Sequence, residues 1–274
     1  MFEDEDPFAA LTVDDSTSEE EQTDVSTVTV ERRVTSIPPE SEFYNMQLAP
    51  FPFTIRVSCP HCRHSCLMYC PYCMKSLPQY PPPTVHLPIS VDIIHHPKEK
   101  KSKSTAVQAV VLCPSQVKMW EYPSFPVYNP KRTLCLFPSA DAKRLTELDL
   151  TQFDRAVFID STWTQTGGIC QDPRVMTLTK VRIENHHTLF WRYQHESPEF
   201  LSTMEAIYFF MKEFIQAKHD GRYDGSVDNL LWYYVFQYEQ IQGIFTETSG
   251  KEPSKKLSPT YYRGRQGKNY EEKT

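Results

Sequence analysis

The most specific chemical pattern in the sequence is a pair of Cys-Pro-x-Cys turns within the stretch CPHCRHSCLMYCPYC. Cys59 and Cys62 stand in the first turn, and Cys70 and Cys73 stand in the second. Two residues between thiolates allow one tight turn to present both sulfurs to a single ion, and two such turns complete the tetrahedral site that Zn²⁺ prefers. Because four thiolates saturate the ion, we predict that this zinc is structural.

Other potential ligands lie inside the same stretch, namely His61, His64 and Cys66. The sequence leaves open whether one of them replaces a predicted thiolate. The alternative to a metal site is a set of unrelated reduced thiols. Five of the eight cysteines fall within fifteen residues, which disfavours that alternative.

A second pattern is the run AVFIDSTWTQ, in which an apolar segment beginning at Ala156 ends at Asp160. Open α/β sheets gather their ligands at the carboxyl ends of strands, and a carboxylate at such an end can accept a proton or a hydrogen bond. The alternative for Asp160 is an Asx turn, and the alternative for Trp163 is a core aromatic. The local pattern alone favours the turn over catalysis.

Other segments make a catalytic role for Asp160 more plausible than the local pattern does, because they also place polar residues at the ends of predicted strands or helices. IIHHPKEKKSKSTAV runs from an apolar stretch into His96 and a basic segment, and LFPSADA turns at Pro138. Ser202 and Glu205 fit a capping box, which is the structural interpretation of STMEA. The functional interpretation is that exposed N–H groups at the helix start hold a ligand carboxylate.

Strands and helices that alternate along the chain must position these residues. Segments rich in Val, Ile, Leu or Phe predict strands at 107–113, 133–137, 156–160 and 175–183. Apolar residues at helical spacing predict helices at 200–215 and 229–245. Strands interleaved with helices favour an α/β sheet domain.

Charge is divided unevenly along the 274 residues, whose formal net charge is -6. Residues 1–45 hold 13 acidic and 2 basic side chains, a local net of -11, so the remainder nets +5. The first segment has few core-forming residues, and we predict that it is disordered and dispensable. The mildly basic body permits a nucleic-acid partner without requiring one.

The sequence shows no apolar h-region at its start and no run approaching ~18 apolar residues, so we expect neither secretion nor a membrane span. The cysteines are then expected to be reduced or metal-bound. The basic segment 251–274 is typical of a nuclear-import signal or of a tail that contacts RNA, with a frayed terminus as the alternative. We expect a nuclear location, with the cytoplasm as a second one.

Taken in order, these motifs resemble the DTW-domain proteins, the tRNA-uridine aminocarboxypropyltransferases. The resemblance rests on His-Pro-x-Glu from His96, the Leu-Phe-Pro turn, Asp-x-Thr-Trp from Asp160 and Ser-Thr-x-Glu-Ala from Ser202, all after a cysteine cluster. Phe-Trp-Arg and the Asp-Asn-Leu-Leu run from Asp228 are similar to the first of the two animal paralogues. Each motif alone is weak, but five in order are specific, and they cover about Ser58 to Phe245.

The resemblance implies a fold and a reaction. The fold would be α/β, a SPOUT-like knotted domain with an N-terminal zinc knuckle and disordered termini. Its predicted parts are an acidic tail at 1–45, the knuckle at 46–80, the catalytic domain at 81–248 and a basic tail at 249–274. The reaction would transfer the 3-amino-3-carboxypropyl group of S-adenosylmethionine to N3 of a uridine in the tRNA D-loop, releasing 5'-methylthioadenosine. Neither DNA nor a membrane is expected as a partner, and the oligomeric state stays open.

Roles for individual residues follow from this chemistry. Asp160 is the expected general base, because the uracil N3–H is only weakly acidic. The residues expected to bind S-adenosylmethionine are His96, Pro97, Pro138, Ser139, Ser161, Thr162, Trp163, Ser202, Thr203 and Glu205. Lys101, Lys103 and Arg192 are expected to contact tRNA phosphates, with a solvated charge run as the alternative for the lysines.

Two other classes of function stay open at this point. One is a non-enzymatic zinc-knuckle RNA-binding protein, which would have no need of Asp160. The other is a SPOUT-type RNA methyltransferase, which would release S-adenosylhomocysteine from the same donor.

Overall fold

The computed structural model describes residues 37, 41–191 and 200–247. The predictions for the acidic tail before residue 41 (residue 37 apart), for Arg192 and for the basic tail from residue 249 therefore lie outside the described residues. So do the side chains of Trp163, Thr164 and residues 243–247. Within the described ranges, no helix is long and apolar enough to cross a membrane.

Two short hairpins carry the clustered cysteines. Strand β1 (Val57–Ser58) pairs antiparallel with β2 (Ser65–Cys66), and β3 (Tyr69–Cys70) pairs antiparallel with β4 (Lys75–Ser76). Arg63 and Met74 follow the second cysteine of each Cys-Pro-x-Cys turn and adopt left-handed φ values of 66° and 51°. Each hairpin therefore reverses directly after its pair of thiols.

A parallel sheet of six strands forms the centre of the structure. Its strands are β5 (Ser90–His95), β6 (Val117–Glu121), β7 (Thr133–Leu136), β8 (Lys143–Arg144), β9 (Arg155–Asp160) and β10 (Thr179–Arg182). They lie in the order β6-β5-β9-β7-β10-β8, and every pairing is parallel. The central strands β9 and β7 are mostly apolar and buried, as expected of a parallel sheet covered on both faces.

Helices pack against this sheet and against one another. They are α1 (Ala106–Leu112), α2 (Trp163–Cys170), α3 (Pro173–Met176), α4 (Thr203–Lys218) and α5 (Trp232–Glu247), with 3-10 turns at Leu145–Glu147, Leu150–Gln152 and Asp228–Leu231. Helix α4 lies on β9, where the rings of Phe158 and Phe210 meet edge to face at 5.3 Å. The mixed α/β class with a central sheet is confirmed.

One predicted strand is wrong, and another is confirmed only in its second half. The segment 107–113 lies almost wholly in helix α1, whose apolar residues are buried on nearly every side. A helix that is buried all round loses the alternation of polar and apolar residues, so periodicity cannot distinguish it from a buried strand. The segment 175–183 divides between α3 and β10. Asp172 caps α3 by accepting from the Arg174 N–H at 3.0 Å, and Pro173 occupies the first helical position.

The remaining predicted elements are confirmed with shifted bounds. The segments 133–137 and 156–160 correspond to β7 and β9, and the two long helices correspond to α4 and α5. Helix α5 starts at Trp232 because the preceding residues form a 3-10 turn. The sheet strands β5, β6 and β8 were not predicted.

Residues 41–45, which the predicted tail included, form a turn that packs on α4. Phe43 is 1% exposed, and its ring meets that of Phe209 edge to face at 5.3 Å. The Gln47 N–H donates to Asp228 Oδ2 at 2.9 Å. The packed part of the chain thus includes residues that a composition average assigns to the tail.

His186 fastens this turn to α4. Its Nδ1 lies 2.9 Å from Glu42 Oε2, and its Nε2 lies 2.8 Å from Glu213 Oε1. The imidazole also stacks on Phe209 with ring centroids 3.7 Å apart. Burial lowers the pKa of His186, but hydrogen bonds to Glu213 and Glu42 outweigh it and raise the pKa to about 9. Both ring nitrogens therefore act as donors.

We expect this ion-paired histidine to make the free energy of unfolding depend on pH. Its contribution is fully present below the ordinary pKa of about 6.5 and is lost as the pH rises through about 9. His186→Gln should remove a contribution on the order of 1–2 kcal/mol, allowing for the partial exposure of Glu42. Denaturant unfolding at about pH 6 and about pH 9.5 measures the difference.

The exposed neighbour His187 supplies the matched control. His187→Gln makes the same histidine-to-glutamine change at a side chain that is exposed rather than buried. A His186→Gln variant that is destabilised equally at both pH values would show that the loss is one of packing alone.

Candidate functional site

The parallel strands bring several predicted residues to one edge of the sheet. Strands β5, β9 and β7 are neighbours and run in the same direction, so their carboxyl ends lie together. The residues that follow these ends, in strand order, are His96 and Pro97, Ser161 and Thr162, and Pro138 and Ser139. Motifs that are far apart in the sequence thus converge at the edge where open α/β sheets bind ligands.

Asp160 is the most densely hydrogen-bonded group at this edge. It is the last residue of β9 and is 7% exposed. Its Oδ2 accepts from the Ser104 hydroxyl at 2.7 Å and lies 2.7 Å from Nδ1 of His95. Its Oδ1 accepts from the Thr203 hydroxyl at 2.8 Å. Side chains from β5, from the loop before α1 and from the start of α4 therefore fix one carboxylate.

His95 is a functional candidate that the sequence analysis missed. It ends β5 directly opposite Asp160 in the strand register and is 1% exposed. Its Nε2 lies 3.0 Å from the carbonyl oxygen of Glu99, so both ring nitrogens face acceptors. Burial lowers the pKa of His95, but the hydrogen bond and charge of Asp160 outweigh it, and the net pKa is raised. The geometry therefore favours an imidazolium that donates to Asp160.

The sequence did contain a signal for His95. Like Asp160, it directly follows an apolar run. The sequence analysis selected the next residue, His96, which is half-buried and accepts from the Lys98 N–H at 3.2 Å. Ser104 was missed for a different reason. It stands in a lysine-rich segment, and such segments are usually exposed to solvent. Only the tertiary structure shows that this loop folds back so that Ser104 contacts Asp160.

The start of α4 is a complete capping box. Ser202 accepts from the Glu205 N–H at 3.4 Å, and Glu205 accepts from the Ser202 N–H at 2.8 Å. Glu205 is fully buried and also accepts from the Thr188 hydroxyl and the Leu189 N–H. Burial raises the pKa of Glu205. The structural interpretation of this motif therefore holds, and Glu205 fastens a neighbouring loop to the helix start.

The other predicted contact residues have varied surroundings. The Ser161 hydroxyl lies 2.7 Å from that of Thr166, in the first turns of α2. Pro97 and Pro138 are exposed, and Ser139 is half-buried. Lys101 and Lys103 are half-buried and precede Ser104 in the same loop, whose Ser104 hydroxyl donates to Asp160. Lys101 also lies 3.7 Å from Glu121 at the end of β6.

The four predicted zinc ligands form a second centre. Their Sγ atoms all lie within 4.8 Å of one another, with Cys59 and Cys73 at 3.9 Å and Cys62 and Cys70 at 3.4 Å. Tetrahedral coordination with Zn–S bonds of ~2.3 Å would place the sulfurs about 3.8 Å apart. The thiols thus fit a tetrahedral ion. Cys66 donates instead to the His64 carbonyl oxygen and lies outside this group of four.

Comparisons with known proteins point to one family. The model of a family described as DTW domain matches residues 56–242. A mouse protein named tRNA-uridine aminocarboxypropyltransferase 1 is 34% identical over 235 residues, covering 68% of this chain and 77% of that protein. The human protein of that name is 30% identical over 284 residues, which cover 84% of this chain and 93% of the human protein. The protein of that name from Xenopus tropicalis is 32% identical over 233 residues, which cover 68% of this chain and 79% of the frog protein. No solved structure gave a significant match.

Proposed function

The chain belongs to the DTW domain family, and from this premise we propose that it is a tRNA-uridine aminocarboxypropyltransferase. The observation that carries the proposal is the buried carboxylate of Asp160, which side chains from three separate structural elements hold at the carboxyl edge of the sheet. A protein that only binds RNA has no evident use for so elaborate a support. The curated names of the relatives favour aminocarboxypropyl transfer over methyl transfer.

The proposed reaction is a substitution at a saturated carbon. A bond forms between N3 of a uridine and the γ-carbon of the 3-amino-3-carboxypropyl group, and the bond from that carbon to the sulfur of S-adenosylmethionine breaks. The electron pair of the broken bond goes to sulfur, which becomes the neutral thioether of 5'-methylthioadenosine. The N3 proton must pass to a base. We propose that the uridine that receives the aminocarboxypropyl group lies in the D-loop of the tRNA.

We propose Asp160 as that base. Oδ2 already has two partners and Oδ1 has one, whereas a carboxylate offers about four acceptor positions in all. Oδ1 therefore retains the capacity to accept the uridine proton, while His95 and Ser104 hold the group in place.

We propose a role for the start of α4 that differs from the one expected. Asp160 accepts from Thr203 there, and the Met204 N–H already donates to the Thr105 hydroxyl at 3.3 Å. We therefore propose that this positive helix end stabilises and aims Asp160 rather than binding a ligand carboxylate directly. We propose that adenosine lies against the turns that follow β7 and β9. The knotted arrangement and the nuclear location stay predictions.

The decisive test is the product formed from purified protein, tRNA and S-adenosylmethionine. Mass spectrometry of digested tRNA should find aminocarboxypropyluridine, with 5'-methylthioadenosine released in equal amount. S-adenosylhomocysteine with a methylated nucleoside would instead establish the methyltransferase. tRNA binding with neither product would leave an RNA-binding protein.

We expect the acidic segment before residue 37 to be dispensable for turnover. Its negative charge opposes the approach of tRNA, so its removal should leave kcat unchanged and strengthen tRNA binding at low salt. A chain that starts at residue 46 also loses Glu42 and Phe43 and should be less stable by on the order of 2–4 kcal/mol. Steady-state kinetics and thermal unfolding of both truncations measure these effects. A large fall in kcat for the shorter deletion would contradict the prediction.

A further inference from the structure

The two cysteine hairpins present a pair of stacked rings on their outer surface. His64 follows the first Cys-Pro-x-Cys turn, and Tyr72 stands inside the second. Their ring centroids lie 4.1 Å apart with an interplanar angle of 28°. Tyr72 is 55% exposed, and His64 is exposed as well. The pair is therefore accessible from solvent for stacking by a further planar group.

The positions of both rings depend on the cysteines. The carbonyl oxygen of His64 accepts from the Cys59 N–H at 2.9 Å and from the Cys66 thiol at 3.4 Å. Tyr72 lies between Cys70 and Cys73, and the Cys73 N–H donates to the sulfur of Cys70 at 3.4 Å. The hairpins therefore pre-organise the stacked pair, which reduces the entropy that a ligand must overcome on binding.

The sequence segment around the pair carries positive charge alone. From Phe43 to Val91 the sequence contains no Asp or Glu, whereas it contains Arg56, Arg63 and Lys75, all of which are exposed. Arg56 is anchored beside the pair, because its Nη2 donates to the Ser65 carbonyl oxygen at 2.7 Å. This contrasts with the remainder of a chain whose net charge is -6.

We propose that this surface, composed of His64, Tyr72, Arg56, Arg63 and Lys75, binds an unpaired nucleotide of the tRNA substrate. Proteins recognise single-stranded RNA by stacking bases on exposed aromatic rings and by placing arginines and lysines against the phosphates. Exposed rings in a positively charged, acid-free segment supply both components. The inference rests on the proposed function for the identity of the RNA, and it assigns to the hairpins a role in substrate binding in addition to their metal.

Tyr72→Ala should weaken tRNA binding roughly 5- to 100-fold, which is the usual effect of removing one base-stacking ring. The KM for tRNA should rise while kcat is kept, because the ring is not among the groups assigned to bond formation and contributes uniform binding. Tyr72→Phe should restore wild-type affinity, since stacking requires the ring and not the hydroxyl. Arg63→Gln should reduce the salt dependence of binding by about 0.7 in log–log slope.

The matched control is Tyr44→Ala, because Tyr44 is 50% exposed and lies outside the hairpins. Zinc content and the unfolding midpoint of each variant should equal those of the wild type, which separates lost stacking from lost structure. Unchanged tRNA affinity in Tyr72→Ala, or an equal loss in Tyr44→Ala, would overturn the inference and leave the surface to a partner of another class. Those results would leave the proposed function intact, whereas a wild-type protein that yields no modified tRNA would refute the proposed function itself.

Discussion

Asp160→Asn should lower the rate of aminocarboxypropyl transfer by roughly 10²- to 10⁴-fold, the usual contribution of a general base. The amide keeps the shape of the side chain but cannot take a proton at neutral pH. Release of 5'-methylthioadenosine under saturating tRNA and S-adenosylmethionine measures the step directly. Because binding uses other groups, we expect the affinity for tRNA to change little.

The same substitution also has a structural cost that must be separated from the chemical one. Asp160 accepts from three side chains, whereas an asparagine has one acceptor oxygen and turns an NH₂ group toward donors. Leaving a buried donor without a partner costs about 1–3 kcal/mol. Ser104→Ala and Thr203→Val each remove one donor and keep the carboxylate, so they should share the loss of stability but lose far less activity.

Two outcomes would count against this role for Asp160. If a folded Asp160→Asn protein released 5'-methylthioadenosine near the wild-type rate, the Asp160 motif would be a structural turn without a catalytic role. A loss of activity in Ser104→Ala as large as in Asp160→Asn would indicate that the hydrogen-bonded cluster matters as a scaffold, without a specific base.

The sequence predicted the elements that carry Asp160 better than it predicted the partners of Asp160. Helix α4 was recognisable because its capping box and its apolar spacing are both local features. Strand β9 was recognisable because its buried run ends abruptly in a polar motif. His95 and Ser104 were missed because their importance comes from pairing across the sheet and from a loop that folds back, and neither has a periodic signal.

Averages over long windows account for other differences. Phe43 is a single apolar residue in an acidic segment, so composition assigns it to the tail, although its ring is buried against α4. Helix α1 was assigned to a strand because burial on nearly every side removes its polar face. The cysteine cluster was predictable, since metal ligation depends on short spacings that the chain displays directly.

Cys70→Ser should remove the metal and destabilise the protein by several kcal/mol. Structural zinc supplies about 10–16 kcal/mol to isolated zinc-finger peptides, and that binding energy is also folding energy. The loss should be smaller here because apolar packing also holds the hairpins. Tyr69 lies 4.8 Å from Tyr233 of α5 between ring centroids, and Leu77, after β4, is fully buried. We therefore expect local unfolding of the hairpins before the sheet unfolds.

Elemental analysis should find about one zinc per wild-type chain and none in Cys70→Ser. Cys66→Ala is the matched control, because Cys66 is buried in the same hairpins but donates to a carbonyl oxygen outside the group of four. It should keep its zinc, and loss of zinc from it would make Cys66 a ligand. Chelation of wild-type zinc should lower the unfolding midpoint and expose the hairpins to protease, whereas the midpoint of Cys70→Ser should not respond to chelator. A metal-free wild-type protein with an unchanged midpoint would mean that packing alone holds the four thiols together.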